Sequence, residues 1–362
     1  MKLVYISGDY IQNDLPGVEK KIQDQLSVLA ENGVTTEWIG VGMTPRLQRL
    51  VPFSASMTWG KTEQPEADCL YIRMEPFSYP FISFLKKNRK RNPEVRILVE
   101  IPTYPYDEEI KRLNVITQIR DKVYRRFLKN VVDRIVTYSD DQEIFGIRAI
   151  GIQNGVNVQS LPVTSGREPD QEVHLIAVAA LQAYHGYERI IEGLHRYYSG
   201  GGERIVRFLI VGSGYAEAEL RELVRKYHLE EYVIFFGARK GSALTEVYNQ
   251  GDIGVGSFGL YKRKDFSSSA LKTREYLARG LPMISGCMED VFQGKDVDFY
   301  LEFENNETPI DIQQVINFHD KVYSEGKESL SGRIREFALK NVDVRRTFMP
   351  VVEYITGTGE KA

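Results

Sequence analysis

The sequence predicts an α/β fold made of two Rossmann-like domains in series, on the basis of three observations. The chain has 362 residues, and domains usually have roughly 100–200 residues. Short apolar runs typical of buried strands alternate with amphipathic helical segments. The alternation stops at a polar stretch with two prolines and then starts again. Such alternation with short connections indicates a parallel sheet covered by helices on both faces, here formed twice.

Composition and charge are those of an ordinary globular chain. Hydrophobic residues make up 42% of the sequence and charged residues 27%, with a net charge of -3. The global charge therefore indicates neither nucleic acid nor an acidic partner. Cys69 and Cys287 cannot form a disulfide framework, which favours a reduced, cytoplasmic setting. The N-terminus does not have the pattern of a signal peptide, and a run of about 18 apolar residues, as a membrane span requires, is not found.

The N-terminal half begins with a strand, a loop and a helix. Residues 3–7 form a short apolar run before Gly8, the next loop contains Pro16 and Gly17, and helical spacing of apolar residues follows at 18, 22, 26 and 29. A helix is expected over residues 110–128. Further strands are expected at residues 69–72, 96–100, 134–138 and 149–152.

The C-terminal half repeats this alternation after the polar stretch at residues 161–172, which is the predicted linker. We therefore predict an N-terminal domain over residues 1–163 and a C-terminal domain over residues 164–344. The expected strands are residues 174–179, 207–211, 232–236, 253–257 and 282–285. The expected helices are residues 189–198, 217–227, 244–249, 270–279, 310–323 and 332–339, before a last apolar segment at 347–354.

Two segments of the C-terminal half have the residues that a phosphate site requires. Gly212 and Gly214 lie between a strand and a helix, where glycine lets the backbone approach a phosphate, but a single G-x-G is weak evidence and a tight turn is the simpler explanation. Ser267, Ser268 and Ser269 precede a helix and can supply caps and free amides. The alternative is a serine-capped surface helix.

That helix also presents Lys272 and Glu275 on one face, because the two residues are three positions apart. A lysine suits a diphosphate, and a carboxylate can accept hydrogen bonds from the two vicinal hydroxyls of a ribose. An ordinary Lys/Glu pair on a surface helix remains the alternative.

The segment LKTREYLARGLPMI, which begins at Leu271, resembles the signature segment of the retaining family 4 glycosyltransferases (glycosyl transferases group 1). Residues 17–19 (GVE), 154–156 (NGV) and 208–214 (FLIVGSG) resemble other family segments in the same order. The resemblance implies the GT-B fold, in which two Rossmann-like parallel-sheet domains face each other across a cleft. It also implies that the C-terminal helix, within residues 345–362, crosses back to the N-domain.

The resemblance assigns roles to several residues. Glu275 matches the second glutamate of the family's Glu-x7-Glu motif and would bind the ribose. Ser267 stands where the family has its first glutamate, which usually contacts the donor sugar, so the sugar stays open, and Asp265 could substitute. Leu271 with its neighbours and Gly17 match phosphate-binding backbone, and Arg239 matches the loop beside the base and diphosphate.

The segment AALQAYHGYERIIEGL departs from the family pattern of Gly-Arg followed by Lys-Gly. His185 stands in the lysine position before Gly186, and the expected arginine near Ala180 is missing. His185 could be protonated beside a diphosphate, could donate a hydrogen bond while neutral, or could be a structural loop histidine. Arg189 could supply the missing charge.

The N-terminal half contains an aromatic loop and two basic stretches. The loop at residues 100–110 has prolines and tyrosines suited to stacking on a sugar ring, and its acids at 107–109 suit acid-base chemistry or the start of a helix. Five of the six residues at 86–91 are basic, and residues 111–129 carry seven basic residues and one acid. At roughly 1 kcal/mol for each basic residue, these stretches could hold the chain at the inner face of a membrane, or they could simply be solvated helix faces.

The resemblance thus implies a nucleotide-sugar-dependent glycosyltransferase (hexosyltransferase type) that retains configuration, with Lys272, Arg239 and His185 stabilising the departing diphosphate. The donor, such as a UDP- or GDP-sugar, is a substrate, and neither a metal nor another cofactor is expected. The expected acceptor is a glycan or a lipid-linked molecule, in polysaccharide or glycoconjugate synthesis. The alternatives are a nucleotide-sugar epimerase of the same fold and a non-catalytic homologue that binds a glycan or a partner.

Overall fold

The computed structural model describes residues 1–8, 16–42, 59, 65–73, 76–111, 113–165, 172–264 and 267–358, and the chain divides into two compact units. The first unit combines Met1–Gln153 with Val344–Ala362, and the second unit is Asn154–Asp343. The predicted boundary at 163/164 falls inside the second unit because Leu161 packs in its core. Of the predicted linker, residues 166–171 lie outside the described residues.

The described strands of the first unit form a seven-stranded sheet in the order β2-β1-β3-β4-β5-β7-β6. All neighbours are parallel except β6 and β7, which form an antiparallel hairpin. The inner strands are almost continuously apolar, as expected for a parallel sheet covered on both faces. The strands are β1 Lys2–Gly8, β2 Thr35–Val41, β3 Cys69–Arg73, β4 Arg96–Ile101, β5 Arg134–Thr137, β6 Glu143–Ile144 and β7 Ile147–Gly151.

The helices of the first unit before its last strands are α1 Pro16–Glu31, α2 Tyr79–Arg91, α3 Asp107–Ile110 and α4 Val115–Tyr124, with a 3-10 helix at Arg125–Asn130. The single helix expected over residues 110–128 is therefore wrong. The side chain of Asn114 accepts a hydrogen bond from the Thr117 backbone N–H at 2.9 Å and so begins α4 as a new helix.

The described strands of the second unit form a six-stranded parallel sheet in the order β10-β9-β8-β11-β13-β15. This is the Rossmann order 3-2-1-4-5-6, and the direction of winding changes between β8 and β11. A short parallel pair, β12 and β14, lies beside it. The strands are β8 Val173–Val178, β9 Val206–Val211, β10 Val233–Gly237, β11 Ile253–Val255, β12 Ser267–Ser268, β13 Met283–Ser285, β14 Met288–Glu289 and β15 Tyr300–Glu302.

Each helix of the second unit contributes buried apolar residues to the core of that unit. In α5 the residues Ile190, Ile191 and Leu194 are buried, at the spacing that the sequence pattern predicts. The helices are α5 Glu188–Ser199, α6 Glu217–Lys226, α7 Gly241–Tyr248, α8 Leu271–Ala278, α9 Ile312–Tyr323 and α10 Lys327–Asn341.

The C-terminal segment returns to the first unit, as the predicted fold requires. Its helices are α11 Val344–Thr347 and α12 Met349–Thr356. Phe348, Val351 and Ile355 are at most 1% exposed and belong to one apolar cluster with Leu3 and Tyr71 of β1 and β3. The Phe348 and Tyr71 rings meet edge to face, 5.9 Å between centroids. Helix α12, which covers this face of the first sheet, is therefore more than 270 positions away in sequence from the strands β1 and β3 that it packs on.

We expect Phe348→Ala to destabilise the first unit by about 3–5 kcal/mol, because it removes a buried ring from this cluster and leaves a cavity. Denaturant unfolding followed by residue-level hydrogen exchange would measure the change in each unit. Glu353→Ala, on the exposed face of the same helix, is the control and should change the stability little. An equal loss of protection in both units would contradict the assignment of the tail to the first unit.

Candidate functional site

The candidate site lies at the carboxyl ends of β8, β11 and β13 in the second unit. In an open α/β sheet, ligands bind in the crevice at the switch of winding direction, which here falls between β8 and β11. The loop after β8 contains the 3-10 turn Ala183–His185, the loop after β11 begins at Gly256, and the loop after β13 leads to Glu289. α8 reaches all three loops through its side chains.

Glycine at position 186 is required by the contact between the first two loops. The Phe258 N–H donates to the His185 carbonyl at 2.7 Å. A Cβ at Gly186 would lie 2.3 Å from the Phe258 carbonyl carbon, and the φ of Gly186 is +64°. Both observations exclude a larger residue without movement of the loops. The Gly186 that the sequence places after His185 therefore fixes the imidazole relative to the loop after β11.

His185 is buried and neutral in this structure. Its ring stacks on Tyr187, with centroids 5.3 Å apart, and its Nδ1 accepts the Gln182 N–H at 3.2 Å. Burial, together with the nearby Lys272, lowers the pKa of His185 to about 2. With Nδ1 as acceptor, the proton of the neutral ring is on Nε2. Of the roles proposed from the sequence, the geometry favours a neutral hydrogen-bond donor over an imidazolium.

Lys272 is the second residue of α8, and its ammonium is buried in the same crevice. Nζ donates to the Gly256 carbonyl at 2.8 Å and to the Tyr187 hydroxyl at 3.2 Å. Burial lowers the pKa of Lys272 from 10.5 to about 8, partly opposed by Glu289. The ammonium is thus held beside His185 by uncharged partners, and an anion in the crevice would stabilise its charged form.

Glu289 is a buried carboxylate near Lys272 that the sequence reasoning did not select. It accepts the hydroxyl of Thr273 at 2.9 Å and that of Ser285 at 3.1 Å. Burial raises its pKa, while Arg274, Thr273 and Lys272 oppose that rise. The only sequence signal for Glu289 is its position in the segment GCMED, directly after the strand 283–285. The distance in sequence from Lys272 gives no reason to expect the two residues to be close.

Glu275 is half-buried and contacts a different part of the unit from Lys272. Its Oε2 accepts the hydroxyl of Tyr248, at the end of α7, at 3.2 Å. The guanidinium of Arg279 lies over the Tyr248 ring, with its central carbon 4.1 Å from the ring centroid. Tyr248 was not selected from the sequence, because nothing in the local pattern of α7 indicates a contact with α8.

The three serines before α8 do not cap it. The N-cap residue is Ala270, and in the described structure no side chain caps this helix end. Ser267 is exposed and Ser268 buried, both in β12, while the Ser269 hydroxyl accepts from Arg274 at 3.3 Å. The predicted caps are therefore wrong, but the helix that starts at Leu271 still directs its first amides out of the N-terminus. Asp265, the proposed substitute for the missing glutamate, lies outside the described residues.

Arg274 and Arg189 are buried cations with structural partners. Arg274 forms an ion pair with Asp290 and donates to the Asn154 carbonyl at 3.3 Å. Arg189 donates to the carbonyls of Thr308 at 2.7 Å and Phe258 at 2.8 Å, and to a third carbonyl, at Glu304, at 3.0 Å. The guanidinium of Arg189 therefore holds loops together and is not directed at a ligand, contrary to the role considered from the sequence.

Gly212 and Gly214 pack against the backbone of the loop after β8. A Cβ on Gly212 would lie 1.8 Å from the Ala179 oxygen, and one on Gly214 would lie 2.2 Å from the Leu181 oxygen. The Gly212 N–H already donates to the Gly237 carbonyl at 2.9 Å. Close packing therefore accounts for both glycines, which is the tight-turn alternative left open by the sequence.

The contacts of two further predicted residues, Arg239 and Gly17, do not place them in this crevice. Arg239 is exposed in the loop after β10, the edge strand, and its Nη1 lies 3.4 Å from the Ala238 carbonyl. Gly17 belongs to the first unit, where it is exposed in the first turn of α1 and a Cβ would meet nothing within 4 Å.

No protein-family model matches this sequence, and no curated protein sequence matches it. Solved structures do resemble it. A glycosyltransferase from Rickettsia africae is 13% identical with a TM-score of 0.65, covering 99% of both chains. Anabaena HepE in complex with UDP is 14% identical with a TM-score of 0.65, covering 99% of this chain and 100% of that one. Sucrose-phosphate synthase from Thermosynechococcus elongatus is 14% identical with a TM-score of 0.64 and the same coverage.

These similarities show that the chain has the GT-B fold, with two parallel-sheet α/β units and a C-terminal helix that returns to the first. The predicted fold class is confirmed. The identities are too low for more than the fold to be transferred, so the activity rests on the site.

We expect His185 to stay neutral from pH 8 to pH 5, because burial holds its pKa far below 6.5. Its ring resonances, assigned with His185→Gln, should not shift in an NMR titration over that range. In the unfolded chain the same ring takes up a proton below about pH 6.5. It should therefore cost the folded state about 1.4 kcal/mol per pH unit below that value, and the stability of His185→Gln should depend less steeply on pH. A midpoint near 6.5 would show that the ring is solvated.

Proposed function

We propose that this protein is a retaining glycosyltransferase that moves a sugar from a nucleoside-diphosphate sugar to a glycan or lipid-linked acceptor. The observation that supports this most directly is that the Lys272 ammonium and the neutral His185 ring both contact Tyr187, where the direction of winding changes in the second unit. The GT-B fold provides the context, since structures with this fold include named glycosyltransferases.

The chemistry requires groups that stabilise a leaving diphosphate. As the bond from the sugar to the diphosphate breaks, negative charge grows on the leaving oxygen, and donors fixed in a low-dielectric crevice stabilise that charge most effectively. Lys272 offers a charge, His185 offers the Nε2–H, and the first amides of α8 offer the positive end of a helix. The nucleoside diphosphate would therefore lie between the loop after β8 and the start of α8.

Glu275 would hold the nucleoside end of the donor. Glu275 lies three residues after Lys272 in α8, and its half-buried carboxylate, which accepts the Tyr248 hydroxyl through Oε2, would accept hydrogen bonds from the ribose hydroxyls. The donor sugar is left open by the exposed Ser267, where the resembled family has a glutamate. Retention, the polysaccharide or glycoconjugate pathway and the acceptor class follow from the resemblance and are part of the proposal.

A titration with UDP, GDP and ADP followed by a panel of the corresponding sugar nucleotides tests this function. UDP is the first ligand to use, because Anabaena HepE has been crystallised with it. Hydrolysis or transfer that releases the nucleoside diphosphate supports the proposal. Epimerised donor without release would favour the epimerase, and failure to bind any nucleotide would favour a non-catalytic homologue.

We expect Glu275→Ala to weaken UDP binding about 10- to 100-fold, since hydrogen bonds to a charged group contribute roughly 1.5–3 kcal/mol. Glu275→Gln keeps an acceptor for Tyr248 and should lose less. Isothermal titration would measure both, with Glu222→Ala on the exposed face of α6 as the control. Unchanged affinity for UDP in Glu275→Ala would remove the ribose assignment.

We expect Lys272→Met to lower kcat about 10²- to 10³-fold with a smaller rise in KM, because the diphosphate gains charge toward the transition state. In the unmodified chain, affinity for UDP should fall as the pH rises above about 8, where the ammonium of the free protein loses its proton. This dependence of UDP affinity on pH should disappear in Lys272→Met and persist in the control Lys226→Met.

The stability of the free protein provides an independent check of the same group. Folding lowers the pKa of Lys272 from 10.5 to about 8, so the unfolded chain holds more protons between these values. Stability should therefore rise with pH across that interval and do so less in Lys272→Met.

For the kinetic prediction, a Lys272→Met variant with a raised KM but an unchanged kcat and an unchanged pH dependence of binding would show that Lys272 is a ground-state contact only.

A further inference from the structure

α4 of the first unit has an unusual distribution of side chains, with polar residues inside and apolar residues outside. Thr117, Arg120 and Asp121 are at most 4% exposed. Val115, Ile119 and Val123 are 65%, 59% and 44% exposed, and their spacing of four residues places them on one side of the helix. The sequence pattern alone would assign these apolar residues to the core.

The orientation of α4 is fixed by hydrogen bonds from its buried side. The Asp121 carboxylate accepts the Phe77 N–H at 2.8 Å and the Tyr106 hydroxyl at 3.3 Å. Arg120 donates to the Thr117 hydroxyl at 3.3 Å. Rotating α4 to bury its apolar side would expose these bonds and leave buried polar groups without partners, which is costly. The outward apolar side is therefore a fixed feature of the folded unit.

The apolar surface continues from α4 onto α2. The rings of Tyr79 and Tyr124 lie 6.1 Å apart, and those of Tyr124 and Phe127 lie 6.2 Å apart. Tyr79 is 54% exposed and Phe127 42%. A groove of about 330 Å³ separates these elements, lined by Ile82 and, at its rim, by lysines of α2. We call Tyr79, Val115, Ile119, Val123 and Phe127, with this rim, the α2–α4 surface.

The exposed charges on these elements are all positive. The segment 79–91 contains neither Asp nor Glu, and the segment 115–130 contains only Asp121, which is 1% exposed. The exposed basic residues are Lys86, Lys87, Lys90, Arg91, Lys122, Arg126 and Lys129. Only Arg91 of these forms an ion pair within the described residues, with Glu66. Exposed apolar side chains next to uniformly positive ones require a partner that is apolar and negative at once.

We propose that the α2–α4 surface binds the face of an anionic lipid bilayer. Val115, Ile119, Val123 and Phe127 would enter the boundary between headgroups and acyl chains, while the lysines reach the lipid phosphates, as in interfacial amphipathic helices. The tyrosine rings suit the same depth, since one end is apolar and the other polar. In the described part of the chain, none of the helices is long and apolar enough to cross a bilayer.

A second copy of this chain fits the surface less well than a bilayer does. A symmetric dimer through the α2–α4 surface would bring the same basic residues of two chains together, and like charges repel at short range. An anionic bilayer instead matches both the charge and the apolar stripe. The contribution of each lysine near such a surface corresponds to about fivefold in the binding constant.

Vesicle flotation with the full-length chain tests this inference without reference to catalysis. We expect the chain to float with vesicles containing anionic lipid and to stay in solution with vesicles of phosphatidylcholine alone. Lys87→Gln/Lys90→Gln should weaken binding roughly 25-fold. Ile119→Ser/Val123→Ser should weaken it roughly 10-fold or more, because apolar area no longer leaves water.

Matched controls come from the second unit. Arg225→Gln/Lys226→Gln removes two exposed charges, and Val163→Ser/Leu339→Ser changes two apolar residues that are 40% and 39% exposed. Both controls should float like the unmodified chain, and all variants should keep its melting temperature. Failure of the unmodified chain to float, or equal losses in the controls, would overturn the inference. So would a dimer in light scattering that the α2–α4 variants abolish while vesicle binding is unchanged.

Discussion

The arrangement of the second unit depends on the Tyr276 hydroxyl, which joins the parallel strands β8 and β11 where the direction of winding changes. It accepts the Val178 N–H and donates to the Val255 carbonyl, both at 3.1 Å, and so ties α8 to the ends of β8 and β11. A Cβ at Gly254 would lie 2.5 Å from the Tyr276 ring, so the strand must carry glycine there. Lys272 lies one turn before Tyr276 on the same side of α8, which brings its ammonium to the crevice between the strands. The candidate site thus follows from the anchoring of one helix.

Burial of charge at this site is compensated by fixed dipoles and hydroxyls more than by direct ion pairs. Lys272 has a carbonyl and a phenol as partners, and Glu289 has two hydroxyls. Such an arrangement leaves the charge of Lys272 available to an anion, whereas a direct ion pair would largely neutralise it. Arg189 and Arg274 show the opposite case, since carbonyls and Asp290 occupy their donors and their function is to hold loops in place. The distinction between a binding cation and a structural one depends on these partners.

The first unit uses buried polar groups in a different way. Glu100 is fully buried and accepts the hydroxyls of Tyr71 at 2.7 Å and Tyr138 at 2.8 Å beside Arg73, which gives its sheet a polar centre next to the apolar clusters. Asp121 has the equivalent function for α4 and thereby determines which side of that helix faces water. In both places a carboxylate fixes the orientation of neighbouring elements, and in α4 the consequence is an apolar surface directed outward.

The sequence by itself determined the fold class, because alternating apolar runs and helical periods allow few arrangements other than parallel sheets covered by helices. It also indicated Lys272 and Glu275 as candidates, because they are three positions apart on one face of a helix, and the family resemblance added His185. The tertiary structure decided what spacing cannot express. It placed Glu289 and Tyr187 beside Lys272, assigned Gly212 and Gly214 to close packing, directed Arg189 into the interior and turned the apolar side of α4 outward. Each of these outcomes depends on contacts between residues far apart in the chain, and local patterns carry no information about such contacts.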